Sequence, residues 1–243
     1  MPKHGVAVGD RSVSRILKSA PLQPHRKKMW LYSKDEGFRE KRDDVLHVYY
    51  DAPGDEHIIC VDEKTGMQAL ERKTPSFCMR PGQPVHMEFD YKRHGALGLM
   101  GAYDVRNRKL FGFVSEDHTA ETFVELLDSV DTCYPTGKGH LICDNLSAHD
   151  TDDVRDWLQE HPRWTLHFTP THASWLNQIE CAFSILGKHV LSRGDFDSKE
   201  TLKTCVYDYL LWFNEQVEPP FEWTYRPASW GQASSTLRNS ICA

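Results

Sequence analysis

Two short apolar runs, His57-Ile58-Ile59-Cys60-Val61 and His140-Leu141-Ile142-Cys143, each stop on an aspartate, Asp62 and Asp144. Runs this short with no polar break read as strands buried on both faces, the pattern of a sheet covered by helices. In open α/β sheets, ligand and catalytic groups collect where strands end. A third acidic motif, Asn177-Gln178-Ile179-Glu180, opens a segment in which Leu176, Ile179, Phe183 and Leu186 follow helical spacing. A carboxylate at the edge of such a buried stripe is unusual. Three of them together suit divalent cations with oxygen ligands, Mg2+ first. Paired cations of this kind cut and join phosphodiesters.

The rest of the chain is read around these motifs. Residues 11–19 form a short basic helix with Val13, Ile16 and Leu17 on one face. Ser33-Lys34-Asp35-Glu36 reads as a capping box for a helix through Phe38, Val45, Leu46 and Tyr49, ended by Pro53-Gly54. Residues 64–93 show no clear period and read as a loop or irregular hairpin. Ala96–Val105 and Lys109–Val114 read as a hairpin. Helices are expected from Thr119 and over 151–160, and a strand over Trp164–Phe168. Ser174 and Ser198 are expected to cap the last two helices, with Trp175 as a core residue or helix anchor. The chain after 219 is expected to be loosely ordered. The order of elements predicts an α/β three-layer domain with a central mixed sheet, preceded by a short helical arm.

The formal net charge of −6 is unevenly spread: residues 1–45 carry +5 and the remainder −11. A basic arm fits phosphate contact and an acidic body fits cation gathering. Seven cysteines, odd in number and without a Cys-x-x-Cys, argue against a disulfide framework or zinc knuckle and for a reducing compartment. The thirteen histidines form no His-x-x-x-His pair on a credible helix, which disfavours zinc. No phosphate-binding glycine loop occurs, and no apolar run approaches the roughly 20 residues of a membrane span. The N-terminus has no signal-peptide apolar region, so a soluble intracellular protein is expected.

Asp62 is preferred over Glu63 as a ligand, because alternation sends neighbouring side chains to opposite faces. For this dipeptide taken alone, the plainer reading is that both are solvated charges at the strand end. Asn145, His149 and Asn177 are candidates to support the carboxylates or touch phosphate. Lys92, Arg93 and the cluster Arg26, Lys27 and Lys28 are candidate phosphate contacts, with solvated surface an equal reading for each.

Val61 to Arg72, Asp90-Tyr91-Lys92-Arg93-His94-Gly95, Asp144 to His149 and His167 to Glu180 together resemble the catalytic half of the insertion-sequence 630 family of bacterial transposases. That family is a branch of the mariner-like superfamily of Asp-Asp-Glu transposases. The resemblance covers roughly residues 11–225, with four motifs in order, and 35 residues separate Asp144 from Glu180, close to the superfamily's usual spacing. It implies a ribonuclease-H-like fold and metal-dependent cleavage at element ends. Strand transfer into target DNA, at TA sites, follows. Asp62 is implied to bridge two Mg2+ ions, with Asp144 on one and Glu180 on the other and Mn2+ able to substitute. The implied partners are terminal inverted repeats, target DNA and a second copy of the chain in a synaptic homodimer. The implied location is the bacterial cytoplasm, at the nucleoid. Complete members carry helix-turn-helix DNA-binding modules ahead of this domain, and here only about 50 residues precede it. Residues 1–54 are therefore expected to be a remnant of that module with its linker, 55–225 the catalytic domain and 226–243 a tail. Two other readings stay open: a nuclease of the same fold, and a truncated, inactive or repurposed DNA-binding relic.

Overall fold

The computed structural model describes residues 9–19, 33–73, 90–192, 194–216 and 221–227. Arg26, Lys27, Lys28 and the tail beyond 227 lie outside them. The chain divides into two units, Met1–Tyr32 and Ser33–Ala243. In the first, helix α1 (Asp10–Ser19) forms where the 3–4 spacing predicts it and buries no side chain.

The second unit holds one five-stranded mixed sheet. Its strands are β1 (His57–Arg72), β2 (Tyr91–Asp104), β3 (Lys109–Ser115), β4 (Gly139–Cys143) and β5 (Trp164–Phe168), in the spatial order β3-β2-β1-β4-β5. β1, β2 and β3 pair antiparallel, while β4 and β5 run parallel to β1. Parallel pairing of β1 with β4 brings the carboxyl ends of the two apolar runs side by side, with Cys60 opposite Ile142.

Alternation then sorts the side chains into two cores. Ile58, Cys60 and Ile142 face helices α2 (Phe38–Asp51), α5 (Ile179–Leu186) and α6 (Lys199–Glu215), packing with Leu46, Phe183 and Val206. Ile59, Val61, Leu141 and Cys143 face α3 (Ala120–Cys133) and α4 (Asp152–Glu160), packing with Phe123, Leu127 and Val154. The result is the expected helix–sheet–helix stack. Helix α2 packs into the first of these cores, so it belongs structurally with the sheet.

Several local expectations are resolved or corrected. Of the segment read as a loop or irregular hairpin, the described residues form the irregular hairpin: β1 continues to Arg72 and β2 begins at Tyr91, with Glu71 opposite Lys92 and Leu70 opposite Arg93. Two register shifts, between Lys64 and Met67 and between Gln68 and Leu70, destroy the alternation that marks a strand. Gly66, at φ +69°, supplies the left-handed residue at the first shift. Ser33 caps no helix. Its hydroxyl donates to the Thr171 carbonyl at 2.7 Å, and α2 begins five residues later behind Gly37. Asp35 does the local work, accepting from the backbone N–H groups of Gly37 and Thr171, both at 3.0 Å. Ser174 opens only a 3-10 turn, Ser174–Leu176, and α5 starts at Ile179 with no side-chain cap. Trp175 is not a core residue; it is exposed, edge-on to Tyr225. Residues 221–227 are fastened to the body, with the Tyr50 hydroxyl donating to the Tyr225 carbonyl at 2.8 Å. Thr119 and Ser198 do cap α3 and α6, accepting from the N–H groups of Thr122 and Thr201.

Helix α5 crosses β2 at Gly101, the residue opposite Asp62 in the ladder. A Cβ there would stand 2.8 Å from the Phe183 ring and 3.1 Å from Ile179. The absence of a side chain lets the helix sit close. Gly101→Val is expected to lower unfolding free energy by about 1–3 kcal/mol through overpacking. A shift of the urea midpoint at unchanged slope would register it. An unaltered midpoint would show that α5 is not seated on this glycine.

Candidate metal and nucleic-acid site

Asp62 lies at the point where β1 leaves the parallel part of the sheet, and it is only 7% exposed. Its Oδ1 accepts the Glu63 N–H at 2.8 Å and its Oδ2 accepts Asn177 Nδ2 at 3.2 Å. Asn177 is fully buried, and the same amide nitrogen donates to the Val61 carbonyl at 3.1 Å. This pins the turn before α5 to the end of β1. The Tyr49 hydroxyl adds a second pin, donating to the Leu176 carbonyl at 2.8 Å. Glu180 therefore enters the first turn of α5 on the side of the sheet that Asp62 faces.

Asp144 follows β4. Its Oδ1 accepts the Leu146 N–H at 2.9 Å and meets His149 Nδ1 at 3.0 Å. The 3-10 turn Ser147–His149 carries that histidine back under the strand end. Asn145 laces neighbouring elements together: its Nδ2 donates to the Thr169 carbonyl and its Oδ1 accepts Lys41 Nζ at 3.3 Å.

Charge couples these carboxylates: Asp144 and Glu180 both act on Asp62, and Asp144 acts on Glu180. Burial first, then Asp144, then Glu180 and Glu63, push Asp62 up to about 8, against the Glu63 N–H bond. Burial and Asp144 likewise raise Glu180, opposed by Lys64. Asp144 goes the other way and is held low, chiefly by His149. For His149, burial favours the neutral ring, and its bonds to Asp144, Cys143 and Glu63 outweigh that and favour the imidazolium. Among the described residues, no three His, Cys, Asp or Glu side chains close on one point as a finished metal cage. The available donor set is nonetheless all carboxylate oxygen, with the one nearby imidazole engaged at both nitrogens. That set fits Mg2+ or Mn2+ and not zinc.

The structure does not bring every candidate here. Lys92 and Arg93 lie on the far part of the β1–β2 ladder, opposite Glu71 and Leu70. That is nine residues along β1 from Asp62, about 30 Å at strand rise. Lys92 faces Glu71 at 3.8 Å, and Arg93 lies over the Tyr91 ring at 5.5 Å. Glu63, read from the sequence as solvated, is instead buried against His149. The one signal for it was the His five residues after Asp144.

A mixed five-stranded sheet in this order, with one aspartate inside β1 where its parallel pairing stops and another just after β4, defines a ribonuclease-H-like α/β domain. The family model described as DDE superfamily endonuclease matches residues 57–203, more than half of the chain, and the chain belongs to that family. An 83-residue stretch is 26% identical to the "Insertion element IS630 uncharacterized 39 kDa protein" of Shigella sonnei, over 34% of this chain and 24% of that protein. The match thus spans about a quarter of that relative's length. The fold is shared with the Mos1 transposase paired-end complex with left transposon end, at TM-score 0.59 and 20% identity. That superposition covers 86% of this chain and 64% of the other. The Mos1 mariner paired end complex with Mn gives TM-score 0.58 and 19% identity, over 85% and 66%. Among the described residues no helix is long and apolar enough to cross a membrane.

Since the fold keeps Asp62 protonated up to about pH 8, its contribution to stability is complete below the ordinary carboxylate range near 3.8. That contribution is lost as pH climbs towards 8. Asparagine cannot ionise. In EDTA, Asp62→Asn is therefore expected to gain stability over the native chain progressively between pH 4 and 8, read from urea unfolding at several pH values. A difference independent of pH would refute the buried-carboxylate account.

Proposed function

We propose that the chain is a DNA transposase that cleaves the ends of an insertion element and joins them to target DNA, at TA sites. The observation that carries this is the placement of Asp62 in β1 beside the end of β4, of Asp144 just after β4 and of Glu180 in the first turn of α5, with Asn177 bonded to Asp62 and the charges of Asp144 and Glu180 both felt at Asp62. Membership of the DDE endonuclease family and the shared fold with a transposase support the reading.

In this reading Asp62, Asp144 and Glu180 hold two divalent cations, Mg2+ or Mn2+. Held there, such cations would lower the pKa of an attacking water or hydroxyl and offset charge on the scissile phosphate. The chain's own part is geometric. Asn177 and the Glu63 N–H orient Asp62, while Leu146 and His149 orient Asp144. Lys64, whose charge favours the ionised form of Glu180, offers a positive charge beside the phosphate path. Lys92 and Arg93, on the outlying ladder, are assigned to flanking phosphates, and Arg26, Lys27 and Lys28 to the same role on the arm. We assign residues 55–225, with α2 packed on them, to catalysis and the residues ahead of α2 to the arm. The working form is a homodimer on paired element ends in the bacterial cytoplasm.

The test uses two DNA substrates with Mg2+ or Mn2+: a duplex copied from the sequence flanking the reading frame, and a supercoiled plasmid as target. Asp62→Ala, Asp144→Ala and Glu180→Ala are each expected to abolish nicking and joining while circular dichroism stays native. Joining retained by any of the three would remove that residue from the site. Nicking without joining by the native chain would assign it to hydrolysis alone. DNA binding indifferent to Mg2+, with no nicking, would overturn the reading.

A further inference from the structure

Glu63 is not used by the chemistry above, yet its side chain is only 3% exposed. Charged residues reach such burial when paired. Its partner is His149, whose Nε2 lies 2.8 Å from Glu63 Oε1. The same ring presents Nδ1 to Oδ1 of Asp144 at 3.0 Å. The ring is fully buried, with Phe123 packed on it at 4.1 Å between centroids and 33° between planes. Both nitrogens are thus engaged, and the aromatic contact resists rotation.

Pleating explains why two adjacent acids behave so differently. Asp62 continues the series of Ile58 and Cys60 towards α5, where Asn177 and Glu180 stand. Glu63 continues the series of Ile59 and Val61 towards α3, where Phe123 and His149 stand. Asp144, at the end of the adjacent strand, is reached from that second side. Its Oδ1 accepts the Leu146 N–H and forms an ion pair with His149 Nδ1 at 3.0 Å, while the same nitrogen bonds to the Asp144 carbonyl at 3.3 Å. Fixing one oxygen fixes the plane of the carboxylate and leaves Oδ2 to a ligand.

We propose that Glu63 is a positioning residue for the cation site: through His149 it holds Asp144 in the orientation in which Asp144 and Asp62 engage one ion. The dipeptide Asp62-Glu63 then controls both aspartates. One does so as a ligand and the other as a brace working through the opposite face of the sheet. This rests on the reading of the triad as a cation site. The competing account, in which the pair only fastens the strand end, predicts lower thermal stability and unchanged cation affinity.

The deciding experiment measures Mn2+ binding to the full chain by electron paramagnetic resonance, with unfolding temperature recorded in parallel and Asp62→Ala as reference. Glu63→Leu is expected to weaken Mn2+ binding about 10- to 100-fold, the range typical of groups that orient metal ligands. Glu63→Gln, which still bonds to the imidazole, is expected to recover most of the loss. In the nicking assay kcat falls with KM for DNA unchanged. Native affinity in a folded Glu63→Leu protein overturns the proposal, whatever its unfolding temperature. Should Glu63→Leu not fold, Phe123→Leu carries the test, since it frees the ring and keeps every polar group. Weaker Mn2+ binding then supports the brace, and unchanged binding overturns it. Equal binding by Asp62→Ala and native protein would instead sink the cation-site reading itself.

Discussion

The burial of one carboxylate, Asp62, inside the central strand where its parallel pairing stops governs this structure. Taking a carboxylate out of water is unfavourable, and two further carboxylates nearby make it more so, hence its rise to about 8. A protein gains nothing in stability from this arrangement. Sites where like charges are forced together and acidities shift are where function collects. The arrangement becomes favourable when positive charge is supplied, and the surrounding architecture serves to keep the oxygens aimed until then.

That architecture is economical. Parallel pairing of β1 with β4 aligns two strand ends, so two residues 82 positions apart in sequence become neighbours. Gly101 lets α5 lie close on β2, and Asn177 ties the turn before α5 to Val61 and Asp62, which fixes Glu180 relative to both. His149, between Glu63 and Asp144, completes the set from the other face. Asp62 and Asp144 are therefore each oriented by a group outside their own strand, the usual way a preorganised site is held rigid.

Much of this was legible in the sequence because it depends on local pattern. The apolar runs ending in Asp62 and Asp144, the helical stripe around Glu180 and the caps at Thr119 and Ser198 are short-range signals. What escaped depends on partners far away in the chain. The extension of β1 was hidden by bulges near Gly66, which interrupt the alternation that identifies strands. Ser33 looked like a cap, but Thr171, 138 residues on, takes its hydroxyl. Ser174 looked like one too, yet the pull of Val61 and Asp62 on Asn177 holds the preceding turn tight and delays α5. Glu63 was set aside because alternation points it away from Asp62; its partner His149 lies 86 residues away and is visible only in three dimensions.

The central claim is that Asp62, Asp144 and Glu180 jointly hold divalent cations. Anomalous diffraction from crystals grown with MnCl2 tests it most directly. The account predicts manganese peaks in contact with an Asp62 oxygen and reaching Asp144 and Glu180. Crystals that hold manganese elsewhere while these three side chains remain without a peak would contradict it.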